Sequence, residues 1–257
     1  MTTPPFDLWQ TIRAEAAAAA EEEPMLASFL HLTVLRHTSL YRVLAFHLSS
    51  KLSSSTMDAR ALYEVFLRVL EKYPSITEAV AADITACYER DPACDEYCLP
   101  LLYYKGFHAI QAHRINHHLW LDGRKTLAYF LQNRSSEIFG VDIHPAALFG
   151  QGIMIDHGTG VVIGETAEIG KNVRIYQGVT IGALSVPKGR IEEMKGRKRH
   201  PTIEDDVIIY SGATILGGDT VIGARSVIGG NVWITESLPP DTQVLIESPR
   251  LVYRKKS

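Results

Sequence analysis

The 257-residue sequence contains little cysteine and no uninterrupted apolar run of the length that a membrane-spanning helix needs. Its three cysteines, Cys87, Cys94 and Cys98, are odd in number and crowded together, which indicates reduced thiols rather than a disulfide framework. The spacing between Cys94, Cys98 and the nearby histidines matches no standard zinc pattern. We therefore predict no metal site.

The sequence also lacks an excess of basic residues. Its formal net charge of -3 argues against general nucleic-acid binding. The opening stretch, MTTPPFDLWQTIRAEAAAAAEEEP, has no basic region followed by an apolar core, so we predict neither a secretory signal nor a transit peptide. A hydrophobic fraction of 46% with 21% charged residues is typical of a soluble globular protein of one or two domains. We expect a cytoplasmic protein with no membrane contact.

The sequence pattern changes near residue 140. Before that point, alanine-rich and leucine-rich segments with helical periodicity are separated by prolines at 24, 74, 92 and 100, and Asp7 has the position of a helix cap. Residues 1–139 are therefore predicted to form an all-helical domain. We expect residues 140–257 to form a second domain with a different architecture.

In the second domain an apolar, mostly aliphatic residue recurs at intervals close to six: Ile143, Phe149, Ile155, Ile163, Ile169, Ile175, Ile181, Ile203, Ile209, Ile215, Ile222, Ile228 and Ile234. This hexapeptide period is typical of a parallel β-helix, in which each unit is a short strand plus a turn and the apolar side chain points inward. The longer steps from Ile155 to Ile163 and from Ile215 to Ile222 predict local bulges. The gap between Ile181 and Ile203 predicts an extruded loop over about 183–201.

Several motifs together resemble the serine O-acetyltransferase family: RDPACDEY, KGFHAIQAHRI, LQNRSSEIFGVDIHP, GIMIDHGTGVVIGETAEIG and KRHP. The resemblance spans nearly the whole chain and implies an α+β protein whose β-helix is left-handed. It implies acetyl transfer from acetyl-CoA to the hydroxyl of L-serine, giving O-acetyl-L-serine and CoA, in cysteine biosynthesis. It also implies feedback inhibition by L-cysteine and assembly into a trimer or a dimer of trimers.

Carried onto this sequence, the family pattern makes His157 the general base and Asp142 its partner. A serine hydroxyl is a poor nucleophile at neutral pH, and an imidazole that titrates near neutrality can remove its proton during attack on the thioester. A carboxylate on the other ring nitrogen fixes the tautomer and stabilises the imidazolium. The alternatives are a solvated turn histidine and a turn-capping aspartate.

The resemblance also implies the groups that bind the amino acid. Asp91 and Asp156 hold the ammonium, whereas Arg199 and His200 hold the carboxylate, to which an arginine can donate two parallel hydrogen bonds. The alternative for Asp91 is a helix N-cap before Pro92. The alternative for Arg199 is membership of a solvated basic loop.

For acetyl-CoA, the resemblance implies a pantetheine track past Gly182, Ala183, Ser211 and Gly230. The stretch TIGALSVPKGRIEEMKGRKRHP departs from the family here, because it is longer and more charged than the usual glycine-rich link and has Ala183 where a glycine is usual. Its basic residues suit CoA phosphates. A nucleic-acid patch is a weaker alternative, since no aromatic residues are interleaved.

Two other functions remain open from the sequence. One is acyl transfer to another small hydroxyl substrate such as homoserine, which differs from serine by one methylene. The other is a non-catalytic scaffold on the same fold, against which the retention of the four site residues Asp142, His157, Arg199 and His200 argues. The sequence ends in LVYRKKS rather than in the isoleucine that relatives insert into O-acetylserine sulfhydrylase, so we expect no tail-mediated complex with that enzyme.

Overall fold

The computed structural model describes residues 7–185 and 189–247. The C-terminal tail discussed above, residues 248–257, lies outside the described residues. The first part is helical: α1 (Leu8–Glu22), α2 (Ala27–Leu30), α3 (Leu40–Leu52), α4 (Ala59–Lys72), α5 (Ser75–Arg90), α6 (Cys98–Tyr103), α7 (Lys105–Leu121) and α8 (Lys125–Phe139). A 3-10 turn (Pro24–Leu26) precedes α2, and a π-helical turn (His31–Leu35) follows it.

Local sequence signals set several helix ends. The carboxylate of Asp7 accepts hydrogen bonds from the backbone N–H groups of Trp9 and Gln10, as an N-cap does. At the other end of the region, Gly140 adopts a left-handed conformation with φ of 69° and ends α8. The chain then turns directly into the first strand.

The second part is a parallel β-solenoid of about five coils. Sheet one contains β1 (Val141–Ile143), β4 (Val161–Ile163), β7 (Thr180–Gly182), β10 (Thr214–Leu216) and β13 (Trp233–Ile234). Sheet two contains β2 (Leu148–Phe149), β5 (Glu168–Ile169), β8 (Thr202–Ile203) and β11 (Val221–Ile222). Sheet three contains β3 (Met154–Ile155), β6 (Arg174–Ile175), β9 (Ile208–Ile209), β12 (Val227–Ile228) and β14 (Gln243–Val244).

The strand register follows the hexapeptide pattern. Ile143 pairs with Ile163, Ile163 with Ile181, and Ile181 with Ile215, so that the repeated isoleucines of sheet one form a single buried column. Equivalent columns run through the other two sheets. The predicted fold class is therefore confirmed. Between β7 and β8 the chain leaves the solenoid in a loop that carries a short helix, α9 (Ile191–Met194).

A buried ion pair fastens the helical region to the first coil. Asp83 on α5 is fully buried and accepts two hydrogen bonds at 2.8 and 3.0 Å from Nη2 of Arg114 on α7. The same carboxylate accepts a 2.7 Å hydrogen bond from the backbone N–H of Ile153, while Arg114 donates to the carbonyl of Gly150. Since both charges are paired and hydrogen-bonded, this network fixes the helices over one end of the solenoid.

Candidate active site

The solenoid has three columns of turns, of which two carry the residues singled out by the sequence. We call the turns between sheets three and one the first corner; they comprise residues 156–160, 176–179, 210–213 and 229–232. The turns between sheets one and two are the second corner, at residues 144–147, 164–167, 183–201 and 217–220. Both corners combine buried residues, such as Ala147, Ala167 and Ala213, with side chains that lie outside the isoleucine columns.

His157 occupies a two-residue insertion in the first corner. The ladder of backbone hydrogen bonds between the coils is regular up to Asp156, whose N–H donates to the carbonyl of Ile175. It resumes where the N–H of Gly178 donates to the carbonyl of Thr159. His157 and Gly158 are the extra pair, which accounts for the eight-residue step between Ile155 and Ile163. The backbone N–H of Gly158 donates to the carbonyl of Asp156 at 2.6 Å, closing a three-residue turn around His157. The imidazole is consequently extruded, with 74% of its side chain exposed.

The backbone of His157 is left-handed, with φ of 55°. The other non-glycine residues with positive φ in the described chain are Asn172, Asp206, Arg225, Asn231 and Asp241, all at regular corner positions of successive coils. His157 alone among them belongs to an insertion. A left-handed backbone is unfavourable for a residue with a Cβ, and such conformations concentrate at functional sites.

Helix α7 supports this turn from behind. A Cβ at Gly106 of α7 would lie 2.0 Å from the carbonyl oxygen of Ile155, and a Cβ at Gly158 would lie 3.3 Å from Cα of Gly106. Both glycines are needed because the helix backbone and the bulge touch directly. The helical region therefore helps to hold the insertion in shape.

Asp156 lies beside His157, and Asp91 lies in the turn that follows α5. Nε2 of His157 lies 3.8 Å from Oδ1 of Asp156. The Asp91 carboxylate accepts hydrogen bonds from the backbone N–H of Ala93 at 2.9 Å and from the Tyr104 hydroxyl at 3.0 Å. Burial raises the pKa of the Cys87 thiol, and the carboxylates of Asp83, Asp91 and Asp156 raise it further.

The alternative role for Asp91, a helix N-cap before Pro92, is wrong. Asp91 ends α5, and the next helix begins only at Cys98, so no helix starts at Pro92 for Asp91 to cap. Its carboxylate instead stabilises the turn after α5 and orients Tyr104. This hydrogen bond and burial together raise the pKa of the Tyr104 hydroxyl, with burial as the larger cause.

Asp142 lies on β1 with its carboxylate half-buried, opposite Val162 in the next coil. It accepts a 2.7 Å hydrogen bond from Nε2 of Gln132 on α8. Among residues 7–185 and 189–247, no hydrogen bond joins Asp142 to His157. The structure thus holds Asp142 against Gln132, without the direct contact to His157 that a dyad requires.

Arg199 and His200 lie at the second corner. Arg199 forms an ion pair with Glu165 and donates to the carbonyl of Met194 at 2.8 Å. The His200 ring is 9% exposed, and its Nδ1 lies 2.9 Å from the hydroxyl of Thr166. It packs so closely on Gly164 that a Cβ there would lie 2.0 Å from the ring. Burial, assisted by the Arg199 charge, lowers the pKa of His200 to about 4, so the ring is neutral at physiological pH.

Sequence reasoning missed three residues of the second corner: His144, Glu165 and Thr166. Burial lowers the pKa of His144, while Glu165 and Asp142 oppose that shift, so His144 lies near both carboxylates. Thr166 accepts hydrogen bonds from the backbone N–H groups of Arg199 and His200 at 2.8 and 3.0 Å. Their signal was present, because all three fall inside the motifs VDIHP and GETAEIG.

A single chain does not bring the two corners together. Six residues, 159–164, separate Gly158 from Glu165, and the strand β4 among them spans roughly 10 Å between the two corners. The predicted CoA residues are divided in the same way. Ser211 and Gly230 stack at the first corner, where the Asn231 N–H donates to the Ser211 carbonyl, whereas Gly182 and Ala183 lie where sheet one enters the second corner.

Two features are absent from the described ranges, 7–185 and 189–247. They contain no group of three or more His, Cys, Asp or Glu side chains suited to a metal ion. Nor does any helix within them have the length and hydrophobicity to cross a membrane. Cys87, Cys94 and Cys98 are all buried free thiols.

The sequence is similar to known proteins over most of its length. Residues 8–112 match the family model described as serine acetyltransferase, N-terminal. The chain is 50% identical over 249 residues to probable serine acetyltransferase 1 of Oryza sativa subsp. japonica, covering 97% of this chain and 79% of the rice protein. It is 46% identical to serine acetyltransferase of Escherichia coli strain K12, covering 97% and 88% of the two chains.

The fold is similar to solved structures as well. The crystal structure of Neisseria gonorrhoeae serine acetyltransferase superposes with a TM-score of 0.89 at 59% identity, covering 93% of this chain and 92% of that one. Its complex with serine superposes at 0.88 with 57% identity and coverages of 96% and 98%. A serine acetyltransferase complex with CoA superposes at 0.85 with 45% identity and coverages of 92% and 95%. With this identity sustained over nearly the full length of several relatives, the chain belongs to the serine acetyltransferase family.

Proposed function

We propose that the protein transfers the acetyl group of acetyl-CoA to the hydroxyl of L-serine, with His157 as the general base and Asp142 as its partner. The observation that carries this proposal is the inserted turn that extrudes the imidazole of His157 beside Asp156. His157 removes the hydroxyl proton as the oxygen attacks the thioester, and it then returns the proton to the CoA thiolate. The reaction needs no covalent enzyme intermediate.

Asp142 acts on His157 after a small rearrangement. Its present hydrogen bond is to Gln132, a neutral donor that substrate binding can displace. Once engaged, the carboxylate fixes the imidazole tautomer and stabilises the imidazolium that forms during attack. Catalytic hydrogen bonds are often long or absent before the substrate binds.

The amino-acid substrate binds between copies of the chain. Asp91 and Asp156 take the ammonium at the first corner, and Arg199 and His200 of a neighbouring copy take the carboxylate at the second. The roughly 10 Å between these corners in one chain supports this division. Assembly into a trimer, or into a dimer of trimers, therefore completes the site, and the same juxtaposition unites Gly182 and Ala183 with Ser211 and Gly230 along acetyl-CoA.

L-Cysteine is proposed as a competing ligand at the serine site. It presents the same ammonium and carboxylate as serine and differs by a thiol in place of the hydroxyl. The relatives' structures support both this role and the substrates, since they include complexes with serine, with cysteine and with CoA.

The test is release of free CoA thiol from acetyl-CoA with L-serine, L-homoserine or no acceptor, on the wild type and His157→Asn. We expect serine-dependent release and a fall of roughly two to four orders of magnitude in the variant. Equal rates with homoserine would overturn the substrate assignment. Near-normal turnover by His157→Asn would overturn the role of His157, and light scattering that found an active monomer would overturn the shared site.

A further inference from the structure

A single threonine organises the second corner. Oγ1 of Thr166 accepts hydrogen bonds from the backbone N–H groups of Arg199 and His200, at 2.8 and 3.0 Å, and it lies 2.9 Å from Nδ1 of the His200 ring. The backbone N–H of Thr166 also donates to this Nδ1, at 3.2 Å. Both residues that we propose to bind the serine carboxylate are therefore attached to Thr166.

The hydrogen bonds around Thr166 determine which nitrogen of the His200 ring carries the proton. A hydroxyl has one proton to donate and two lone pairs that accept. Because two backbone N–H groups occupy the lone pairs of Oγ1, its proton is directed to Nδ1, which already accepts from the Thr166 N–H. Nδ1 is thus an acceptor and carries no proton. The proton of the neutral ring is on Nε2.

Nε2 of His200 is consequently a donor that has no acceptor within residues 7–185 and 189–247. This atom is not fully buried, although the residue as a whole is only 9% exposed. The ring edge that carries Nε2 lies over Gly164, where a Cβ would collide with it. One turn therefore holds both edges of the ring, since Gly164 makes room for Nε2 and Thr166 binds Nδ1.

The His200 ring remains neutral in the charged surroundings of this corner. Burial is the main cause that lowers its pKa to about 4. Arg199, His144 and Lys198 lower the pKa of His200 further, whereas Glu165 raises it. A neutral ring with its proton on Nε2 can donate one hydrogen bond to a carboxylate without adding a charge. Neutralisation of that carboxylate is left to Arg199.

We propose that Thr166 is a positioning residue for the amino-acid substrate, because it holds His200 so that Nε2–H is the donor to the substrate's carboxylate. This inference rests on the proposed function, which takes Arg199 and His200 as the carboxylate-binding pair. Thr166 does not touch the substrate and acts through the His200 ring. A hydrogen bond to a charged acceptor is roughly twice as strong as one between neutral groups, so the orientation of this one donor should matter for affinity.

The first test compares Thr166→Val, which has nearly the same shape without the hydroxyl, with the matched control Thr166→Ser, which keeps the hydroxyl. Calorimetry should give a Kd for L-serine that is roughly tenfold higher for Thr166→Val and changed less than about threefold for Thr166→Ser. In kinetic assays KM for serine should rise equally, while kcat and KM for acetyl-CoA change less than about twofold. An unchanged Kd, or an equal rise in both KM values, would overturn the proposal.

A double-mutant cycle shows whether Thr166 acts through His200. In the His200→Ala background, which lacks the ring, Thr166→Val should raise the Kd for L-serine by less than about threefold. A merely structural role in the turn would instead give the same rise of roughly tenfold in both backgrounds. That result would contradict the proposal.

Two amide variants of His200 test which nitrogen is the donor. The amide nitrogen of Gln reaches the position of Nε2, whereas that of Asn reaches the position of Nδ1. His200→Gln should therefore bind L-serine more tightly than His200→Asn, and equal binding or the reverse order would rule out Nε2–H as the donor. Calorimetry needs no turnover. A wild type that binds no L-serine would overturn this inference together with the proposed function, whereas serine binding that Thr166→Val leaves unchanged would overturn this inference alone.

Discussion

The helical region and the β-solenoid bury polar groups very differently. The solenoid core is made of aliphatic columns, and its site residues stand on corners outside them. The helical region instead buries ionisable groups within its core, including His47, His108 and the ion pair of Asp83 with Arg114. The difference teaches that the proposed chemistry draws mainly on residues of the solenoid, whereas buried titratable groups are concentrated in the helical region.

The largest stability effect is expected from breaking the buried ion pair. Asp83→Ala leaves the Arg114 charge buried without a partner and removes the acceptor for the Ile153 N–H, so we expect a loss of about 3–5 kcal/mol in the free energy of unfolding. Denaturant titration followed by circular dichroism measures it. A double variant, Asp83→Leu with Arg114→Met, should recover part of the loss. If Asp83→Ala were as stable as the wild type, the ion pair would not fasten the two regions.

The solenoid should respond to loss of volume rather than of charge. Ile181 is fully buried in the column of sheet one, and Ile181→Ala should cost about 2–5 kcal/mol because it removes apolar contacts and leaves a cavity. Ile181→Val is the matched control, with an expected cost of about 0.5–1.5 kcal/mol. Thermal or denaturant unfolding checks both. Equal effects of the two substitutions would mean that the column repacks freely.

Acid should destabilise the helical region first. Burial lowers the pKa of His47 to about 4 and that of His108 to about 3, from 6.5, and Lys51 lowers both further. Below pH 6.5 the unfolded chain takes up protons that these folded histidines do not, so their contribution is complete above pH 6.5 and is lost as the pH falls toward 4. The expected loss is a few kcal/mol.

This acid effect is measured by unfolding at pH 7.5, 6 and 5. The matched control is a variant with His47→Phe and His108→Leu, which removes both titrating rings from the helical core. The pH dependence between 7.5 and 5 should become shallower in this variant. A stability profile identical to that of the wild type would assign the acid sensitivity to other groups.

The smallest effect is expected from an exposed ion pair in the same helical region. Arg60 and Glu64 lie one turn apart on α4 at 3.5 Å, and their side chains are 87% and 58% exposed. Glu64→Ala should change the free energy of unfolding by less than about 0.5 kcal/mol, because water screens the pair and Ala favours helix. Comparing the losses in the free energy of unfolding for Glu64→Ala and Asp83→Ala isolates the effect of burying an ion pair. A loss comparable to that of Asp83→Ala would contradict it.

The sequence predicted the solenoid in detail because its repeat is local. Most of the repeated apolar residues lie six residues apart, so counting from Ile143 already predicts which side chains point inward. The eight-residue step before Ile163 already marks a bulge at His157. The buried pair of Asp83 and Arg114 had no such signal, since its partners lie 31 residues apart on two helices. The contact between Gly106 and Ile155 likewise had no local signal in the sequence, since it joins a helix to the solenoid.

The sequence named candidate site residues but not their arrangement. Motif resemblance named Asp142, His157, Arg199 and His200, yet which of them share a corner depends on how the coils stack. Asp91 shows why neighbouring residues alone do not predict a side chain's role. Its position before Pro92 is typical of a helix start, whereas its carboxylate accepts hydrogen bonds from the Ala93 N–H and the Tyr104 hydroxyl. Tertiary contacts decided that case.

The loop between β7 and β8 leaves and re-enters the solenoid without disturbing it. Ile181 still pairs with Ile215, and Ile169 with Ile203, on either side of the excursion. Because both ends of the loop are held by neighbouring coils, doubling its length would cost only about 0.6 kcal/mol in closure entropy. The outer part of such a segment can change in length while the coils remain unchanged, which makes it a practical site for grafting new sequences, provided that Arg199 and His200 at its end keep their contacts with Glu165 and Thr166.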